Sequence, residues 1–310
     1  MRADKHEKKK SRKGLKIFGI IALLLVIAGG AYAYSLYDSI NDTASEMHEK
    51  IDREKSDKRE KKVSVDKKEP FSVLLLGVDE RDGDRGRSDT MIVLTVNPNN
   101  ESTKMISIPR DTRVDIIGRG TVDKINHAYA FGGVEMAMDT VENFLDIPID
   151  YYAKINMDGF KDIVDAVGGV TVNNSFEFSQ GGDQFAQGEL NLNGEEALNY
   201  ARMRKSDPRG DFGRQDRQRQ IIQAVIKEGA SISSLWNYGD IFNAIGKNVK
   251  TNLTFNEMVD IQKNYKNATG DIEQSQIAGS GTTIDGIYYF MVPQEEQTAV
   301  QQTLKDHLEI

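Results

Sequence analysis

Short, continuous runs of apolar residues predict the strands of the folded part of this chain. Residues 71–78 (FSVLLLGV) and 90–96 (TMIVLTV) are the clearest examples. Each run is short for a helix and largely lacks an alternating polar face, which is the pattern of a strand buried on both sides. Four further runs predict strands in the same way: residues 105–108, 151–155, 170–172 and 287–292.

Between these runs, apolar residues recur at the three- and four-residue spacing of amphipathic helices. This spacing predicts seven helices: residues 128–145, 157–167, 194–204, 213–228, 235–249, 255–264 and 294–308. Because predicted strands and helices are interleaved along the chain, the pattern predicts an α/β fold, with a central mixed β-sheet flanked by helices.

The N-terminal region has the pattern of a membrane anchor. Residues 17–34 carry no charge. As a helix, a segment of this length nearly spans a hydrocarbon core of about 30 Å. Eight Lys and Arg residues precede them, so the positive-inside rule predicts a cytoplasmic tail at 1–16, a single-pass type II protein of the cell membrane, and an extracytoplasmic remainder. The alternative is a signal peptide cleaved near residues 31–33 (AYA), but the apolar run exceeds the usual length of roughly 7–15 residues, which favours an uncleaved signal anchor.

The next segment, residues 35–69, is dense in charge and predicts a solvated stalk between the anchor and a folded domain at 70–310. That domain is acidic, with 23 Lys and Arg against 36 Asp and Glu. Such a domain outside the membrane is a poor ligand for nucleic acid. The chain has no cysteine, which excludes disulfides, thiolate metal sites and cysteine nucleophiles.

One stretch reverses this acidic balance. Eighteen positions hold seven basic residues: Arg202, Arg204, Lys205, Arg209, Arg214, Arg217 and Arg219. Cations clustered in an acidic domain suggest a dedicated anion site, and guanidinium groups match the oxygens of phosphate or pyrophosphate. The alternative is that these arginines pair with Asp side chains of the protein itself.

Helical spacing predicts which of these residues face inward. For a helix that begins near residue 213, Arg214 and Gln218 lie on the same side as the apolar Ile221 and Val225, whereas Asp216 and Arg219 lie on the opposite side, toward water. An arginine that prolongs an apolar face needs an anionic partner, because an unpaired buried charge is costly.

Charged residues also follow the predicted strands. Asp79 and Asp89 bracket a glycine-containing loop between the first two strands, and Arg110 and Asp111 follow the third. Ligands in α/β proteins bind at the carboxyl ends of strands, and paired carboxylates suit Mg²⁺ that also contacts phosphate. The alternative is a charged turn with internal Asp–Arg pairs. Motifs of serine hydrolases, P-loop proteins and dinucleotide-binding proteins are missing from the sequence.

Several motifs together resemble the LytR–CpsA–Psr family. They are LLLGVDER (74–81), RSDTMIVLTVNP (87–98), SIPRDTRVDI (107–116), KINHAYAFGG (124–133), IDYYAKIN (149–156), VDAVGGVTV (164–172), and LNGEEALNYARMR with DFGRQDRQRQ (192–220). The resemblance covers residues 70–230 closely and implies the catalytic domain of that family after an N-terminal transmembrane helix.

The resemblance implies a phosphotransferase at the surface of a Gram-positive cell. Such an enzyme moves an anionic glycopolymer, here wall teichoic acid, from undecaprenyl pyrophosphate at the membrane to the C6 hydroxyl of N-acetylmuramic acid in peptidoglycan, and releases undecaprenyl phosphate. Two alternatives remain open: a polyprenyl-pyrophosphate hydrolase that uses water as acceptor, and a non-enzymatic lipid-binding regulator of cell-wall metabolism.

The resemblance also implies roles for individual residues. Asp79 and Asp89 match the carboxylates associated with Mg²⁺, for which Mn²⁺ is a possible substitute. Six residues match the pyrophosphate-contacting set: Arg87, Arg110, Arg202, Arg204, Arg214 and Gln218. Arg110 is also expected to be catalytic, and Asp79 or Asp111 is the hypothetical acceptor of the hydroxyl proton. Supporting positions are Arg81, Asp211 and Arg217. The lipid tail needs an apolar slot, for which Phe131, Phe144, Phe160 and Val164 are candidates; packing in the core is the favoured alternative for each of them individually.

Overall fold

The computed structural model describes residues 42–80, 86–231 and 245–310. The predicted cytoplasmic tail and membrane anchor lie outside these ranges, as does Arg81. Within the described residues, no helix combines the length and the apolar character needed to cross a membrane.

Six strands form the central sheet, in the order β11-β6-β1-β2-β3-β12. Their bounds are β1 (Phe71–Val78), β2 (Ser88–Asn97), β3 (Ser102–Ser107), β6 (Tyr151–Ile155), β11 (Val249–Thr251) and β12 (Asp271–Gln276). The pairs β1–β6 and β3–β12 are parallel, while β1–β2, β2–β3 and β6–β11 are antiparallel. The prediction of a mixed central sheet is therefore confirmed.

Helices cover both faces of this sheet. Their bounds are α1 (His127–Leu145), α2 (Met157–Ala166), α3 (Gly194–Arg202), α4 (Asp211–Ser231), α5 (Phe255–Asn264) and α6 (Gln294–Leu308). In β1, Leu74 and Leu76 belong to the core that contains residues of α1 and α6. Phe71 and Val73 belong to the opposite core, against which side chains of α4 and α5 pack. Burial on both faces explains why the strand is a continuous apolar run.

Four two-stranded sheets surround the central one. They pair β4 (Arg113–Ile116) with β5 (Thr121–Lys124), β7 (Val170–Asn174) with β10 (Gly188–Leu192), β8 (Phe178–Gln180) with β9 (Asp183–Phe185), and β13 (Ser280–Ile284) with β14 (Ile287–Met291). Single 3₁₀ turns occupy Val65–Lys67 and Lys266–Thr269. A third core joins α2, α3 and the middle of α4 to the strands β7 to β10.

The predicted helix at 235–249 needs correction at its described end. Val249 begins strand β11, which pairs antiparallel with β6, and residues 246–248 form a turn. Residues 232–244 lie outside the described part of the chain. The other six predicted helices match observed helices to within three residues at each end.

The prediction of a solvated stalk is wrong for residues 42–69. Apolar side chains at Met47, Ile51 and Val63 are buried against the domain. Arg53 binds Glu142 at 2.9 Å, and Arg59 binds the nearly buried Asp150 at 2.6 Å. The high charge density that suggested a spacer therefore includes ion pairs with the domain, which a charge count along the chain cannot distinguish from solvated residues.

Candidate functional site

Four strands of the central sheet bring polar residues to one of its edges. Strands β1, β3 and β6 run in the same direction and end there, while the antiparallel β2 begins there. Asp79, Arg110 and Asn156 follow the ends of β1, β3 and β6, and Asp89 lies near the start of β2. This is the sheet edge at which α/β proteins usually bind ligands.

A β-bulge sets the position of Asp89. Gly77 of β1 lies opposite Thr90, but the next residue, Val78, lies opposite Ser88. Asp89 is therefore an extra residue in β2, and a bulge of this kind bends the strand and changes the direction of side chains. In this register Gly77 lies close to Thr90: a Cβ on Gly77 would be 2.9 Å from the Cβ of Thr90.

A cavity of about 320 Å³ opens at this edge. Its polar wall consists of Asp79, Asp89, Arg202, Arg214 and Gln218. The remaining lining is mostly apolar and comes from β1, β6, α2, α3 and α4: Leu75, Leu76, Val78, Ile155, Met157, Phe160, Leu198, Ala201 and Ile222. One cavity therefore combines a charged end with an apolar end.

Helix α4 supplies residues to both ends of this cavity. Arg214, Gln218 and Ile222 are spaced by four residues, so they lie along one face of the helix. The predicted inward orientation of Arg214 and Gln218 agrees with this placement. The same face carries Ile222 toward the apolar end, so the chemistry of the cavity changes along the helix axis.

Arg214 is a mostly buried cation with little counter-charge. Its side chain is 12% exposed, and Nη2 lies 2.7 Å from Oδ1 of Asp211. Burial lowers the pKa of Arg214 below its ordinary value; Asp211 and Asp89 oppose this shift, and the nearby charges of Arg110 and Arg204 add to it. An anion placed beside this guanidinium would relieve the repulsion among the arginines.

Arg110 meets carboxylates on several sides. Its Nη1 donates to Oδ1 of Asp89 at 2.6 Å, and its Nε lies 3.7 Å from Asp111. Burial opposes the charge of Arg110, but Asp89, Asp211 and Asp111 outweigh this effect and raise its pKa above the ordinary value. Arg110 thus stays cationic at the sheet edge, next to a cavity that its partner Asp89 lines.

The two candidate proton acceptors occupy different environments. Asp79 lines the cavity. Asp111 instead accepts a hydrogen bond from Lys124 at 2.7 Å and lies outside the lining of the cavity. The geometry therefore favours Asp79 over Asp111 for contact with a group bound in the cavity.

The basic stretch divides into two groups. Arg202 lines the cavity. Arg204 and Lys205, which follow Arg202 closely in the sequence, are exposed. The predicted supporting residue Arg217 is buried instead, where it binds Asp207 at 2.7 Å and the carbonyl oxygen of Met203 at 2.5 Å. For that arginine the internal pairing alternative holds.

Arg219 corrects the prediction that this side of the helix faces water. Its side chain is buried, pairs with Asp216 and donates to Oγ of Ser107 at 2.8 Å. Asp216 in turn binds the exposed Arg209. A face of mixed charge on a helix can pack against polar groups of a sheet end, and spacing alone does not reveal those partners.

The remaining predicted residues have varied positions. Arg87 is exposed just before β2, and Asp211 is the first residue of α4. Of the residues expected to form a lipid slot, Phe160 lines the cavity, whereas Phe144 and Val164 are buried in two separate cores. Phe131 lies under the guanidinium of Arg119, 3.6 Å from the ring centroid.

Sequence reasoning missed two features of the cavity. Asn156 lines it and also caps α2, since its Oδ1 accepts a hydrogen bond from the amide of Gly159 at 2.7 Å. An Asn three residues before a Gly, at the start of a helical pattern, is a usable capping signal. The apolar residues Leu75 and Ile155 were assigned to strands, and the strand pattern could not show that they border a cavity.

The donor set at this edge fits a hard cation. Asp79 and Asp89 line one cavity beside several arginines, and Mg²⁺ in phosphoryl-transfer sites typically takes one or two carboxylates together with substrate phosphates and water. Among residues 42–80, 86–231 and 245–310, no group of three acidic or histidine side chains is arranged to hold a metal. The two carboxylates therefore suit an ion that arrives with a phosphate ligand.

Comparison with known proteins agrees with the sequence motifs and the fold. A model of the LytR_cpsA_psr family matches residues 34–306. This chain belongs to the LytR–CpsA–Psr family. The match includes residues 42–69, in agreement with their packing against the domain of this LytR–CpsA–Psr protein.

Relatives with similar sequences and structures are known. The chain is 56% identical, over 309 residues and 100% of both sequences, to the Bacillus subtilis (strain 168) protein named polyisoprenyl-teichoic acid–peptidoglycan teichoic acid transferase TagU. A crystal structure of B. subtilis TagU, at 53% identity, covers 78% of this chain and 98% of that chain with a TM-score of 0.64. A structure described as TagT bound to LIIa-WTA, at 34% identity, covers 85% and 100% with a TM-score of 0.74.

Proposed function

We propose that this LytR–CpsA–Psr protein is a phosphotransferase that moves wall teichoic acid from undecaprenyl pyrophosphate to the C6 hydroxyl of N-acetylmuramic acid in peptidoglycan. The observation that carries the proposal is the cavity with one charged and one apolar end. A lipid pyrophosphate has the same division between an anionic head and an apolar tail. The name of the TagU relative, a teichoic acid transferase, supports the same conclusion.

The charged end would bind the pyrophosphate. Arg214 and Arg202 reach it from α4 and α3, and Gln218 adds an amide one helical turn further along. Arg110 is held beside it by Asp89. Guanidinium forks bind phosphate oxygens with two hydrogen bonds each, so these side chains would fix the orientation of both phosphates. The exposed Arg87 and Arg204 would complete the set of residues that contact the pyrophosphate.

The apolar end would begin the path of the lipid. A second cavity of about 300 Å³, almost entirely apolar, lies further along the same elements. It is lined by Ile226 of α4, one turn beyond Ile222, and by Val73 of β1, two residues before Leu75. The two cavities therefore follow one face of α4 for about 18 Å from Arg214 to Ile226. The polyprenyl chain would follow this direction between the helix and the sheet.

Catalysis follows from the same positions. The acceptor oxygen forms a bond to the phosphorus that carries the polymer, while the bond from this phosphorus to the bridging oxygen breaks, and undecaprenyl phosphate leaves with the electron pair. Arg110 and Arg214 would stabilise the charge that accumulates on the phosphoryl and leaving oxygens. Asp79 lines the cavity and is our candidate for the acceptor of the hydroxyl proton.

Mg²⁺ would be held by Asp79 and Asp89, with Mn²⁺ as a possible substitute. When bound, it supplies positive charge for the phosphate oxygens. Arg110, which Asp89 holds beside this site, would contact the substrate phosphates. We also infer that residues 17–34 anchor the protein in the cell membrane, at the surface that holds the lipid carrier.

Mass spectrometry of reaction products would test this function. The full-length protein is incubated with an undecaprenyl-pyrophosphate-linked saccharide, peptidoglycan oligomers and Mg²⁺. We expect a saccharide–phosphate–muramyl product that Arg110→Ala abolishes and that Arg209→Ala, which changes an exposed arginine outside the cavity, leaves in place. Saccharide phosphate without this product would indicate a hydrolase, and tight lipid binding without turnover would indicate a regulator; either result would reject the proposal.

A further inference from the structure

Exposed apolar side chains concentrate on one side of the candidate site. Among the described residues, six large apolar side chains are classed as exposed, and four of them lie on elements that meet around Asp111. We call these four the aromatic rim: Val122 on β5, Phe212 on α4, and Ile287 and Tyr288 on β14. Clusters of exposed apolar groups of this kind mark interaction surfaces.

Neighbouring residues connect the elements that carry the aromatic rim to Asp111. The amide of Phe290 donates to the carbonyl oxygen of Asp111 at 2.8 Å. The rings of Phe212 and Phe290 lie 5.8 Å apart, which ties the start of α4 to β14. Lys124, at the end of β5, binds the carboxylate of Asp111 at 2.7 Å. The strands β5 and β14 therefore contact Asp111, the residue after Arg110.

Tyr288 presents a flat, accessible ring. Its residue exposure is 49%, and a Cβ added at Gly281 on the neighbouring strand would lie 2.6 Å from the ring. The ring thus lies across the backbone of Gly281 instead of pointing away from the hairpin. A glycine at this position keeps one face of Tyr288 against the strand, so that the half-exposed remainder forms a platform.

Charged groups flank this platform. Lys124 lies 5.9 Å from the centroids of both Tyr288 and Tyr289, and the guanidinium of Arg113 lies 5.8 Å from the ring of Tyr289. Lys124 and Arg113 are paired across the β4–β5 hairpin, so they share one face with the pair of Val122 and Asp115. The surface therefore alternates apolar and charged groups.

We propose that the aromatic rim binds the acceptor, a peptidoglycan glycan strand with its anionic peptides; this inference rests on the proposed function. A sugar ring has a face of C–H bonds and a polar edge, and it can stack on the amphipathic ring of Tyr288 while its hydroxyls meet charged neighbours. Arg113 is exposed and offers a counter-charge for peptide carboxylates.

The location distinguishes this ligand from the lipid donor. The cavity that would hold the pyrophosphate and the start of the lipid is lined by residues of β1, β2, β6, α2, α3 and α4, and none of the four residues of the aromatic rim is among them. An acceptor hydroxyl must approach the phosphorus from a direction that the donor leaves open. Because its strands β5 and β14 contact Asp111, the residue after Arg110, the aromatic rim would provide such a direction.

Kinetics with the full-length protein would test the proposal. The donor is an undecaprenyl-pyrophosphate-linked saccharide, and the acceptor is a series of uncross-linked peptidoglycan strands. Tyr288→Ala should raise the KM for the acceptor about tenfold, a change that corresponds to the loss of a good aromatic contact. The affinity for the donor should stay within twofold of the wild type, and Tyr288→Trp should restore the acceptor KM. Val259→Ala, which truncates a similarly exposed residue on α5, is the matched control.

The outcomes separate this inference from the proposed function. If the wild type transfers no saccharide to peptidoglycan, the proposed function fails and the inference fails with it. If the wild type transfers normally and Tyr288→Ala leaves the acceptor KM unchanged, the inference alone is wrong. An unchanged KM together with loss of a dimer in sedimentation measurements would instead assign the aromatic rim to self-association. Equal losses in Tyr288→Ala and Val259→Ala would also overturn the proposal.

Discussion

Two arginines on adjacent turns of α4, Arg214 and Arg217, differ in the partners that the protein gives them. Arg214 faces the cavity with a side chain that is 12% exposed, and Arg217 faces the core with one that is 3% exposed. Burial alone does not distinguish them, and neither does an unpaired Nε, which both have within the described residues. The difference lies in their terminal nitrogens.

Both terminal nitrogens of Arg217 are occupied by the protein. Nη1 binds the fully buried carboxylate of Asp207, and Nη2 binds the carbonyl oxygen of Met203. Arg214 forms an ion pair with Asp211; the charge of Asp89 also favours its cationic form, while the charges of Arg110 and Arg204 oppose it. A guanidinium whose terminal nitrogens are all bound by the protein, like that of Arg217, stabilises the fold. A guanidinium that lies near other cations, like that of Arg214, is suited to an anionic ligand.

The largest expected effect is on the stability of the Arg217→Ala variant. Removing one partner of a buried ion pair leaves the other charge without compensation, which typically costs about 3–5 kcal/mol. We therefore expect a fall of this size in the free energy of unfolding, measured by urea denaturation. The control is Arg209→Ala, which removes the exposed partner of the same carboxylate and should cost less than about 1 kcal/mol. Equal losses in the two variants would contradict a special role for the buried arginine.

Arg214→Ala should reverse this pattern. Losing one preorganised donor to a transition-state oxyanion typically lowers kcat by about 10²- to 10³-fold, or roughly 3–4 kcal/mol of barrier. Because Arg214 is buried with little counter-charge, its removal should change the free energy of unfolding by less than about 1 kcal/mol. Product formation and denaturation would be measured on the same preparation.

The conservative variant sharpens the comparison. Arg214→Lys retains the charge and loses the fork that binds two oxygens at once, so it should recover only part of the lost activity. Full activity in Arg214→Ala, together with a fall in the free energy of unfolding as large as in Arg217→Ala, would contradict the comparison. It would show that the two arginines have the same structural role.

The sequence could predict the parts of this arrangement that follow from local periodicity. Continuous apolar runs indicated β1 and β2 because both faces of these strands are buried. Four-residue spacing indicated that Arg214 and Gln218 share a face. By contrast, β12 (DIEQSQ) is an edge strand with mostly polar residues. The apolar pattern of the sequence therefore could not predict this strand or its pairing with β3.

Partners distant in sequence account for the other failures. Arg219 was expected to face water because its helix face is polar, but it binds Ser107, 112 residues away. Likewise, the ion pairs of Arg53 and Arg59 hold a highly charged segment against the domain. The bulge at Asp89 depends on the register between two strands, which composition does not encode. Charge patterns therefore predicted a cluster of cations, but not which of these charges were already paired within the protein.

A smaller effect is expected from Gly213→Ala. In a helix interior this change ordinarily stabilises by about 1 kcal/mol. Here a Cβ would lie 1.7 Å from Oδ2 of Asp207, the carboxylate that Arg217 binds, so we expect a loss of about 1–3 kcal/mol from overpacking. Gly229→Ala in the same helix, where a Cβ meets nothing within 4 Å, is the matched control and should raise the free energy of unfolding. The same sign in both variants would show that the close approach of Asp207 imposes no constraint.

The smallest expected effect concerns pH and the same carboxylate. Burial opposes the charge of Asp207, but hydrogen bonds from Arg217 and from the amide of Arg209 outweigh it and lower its pKa below the ordinary value. Stabilisation from a lowered pKa is fully present above the unfolded value near 3.9 and is lost as pH falls through the folded pKa. The difference in unfolding free energy between wild type and Asp207→Asn should therefore be constant from pH 7 to about pH 5 and shrink below about pH 4. A difference that grows on acidification would mean that the folded protein raises this pKa, and the pairing with Arg217 would then be too weak to outweigh the cost of burial.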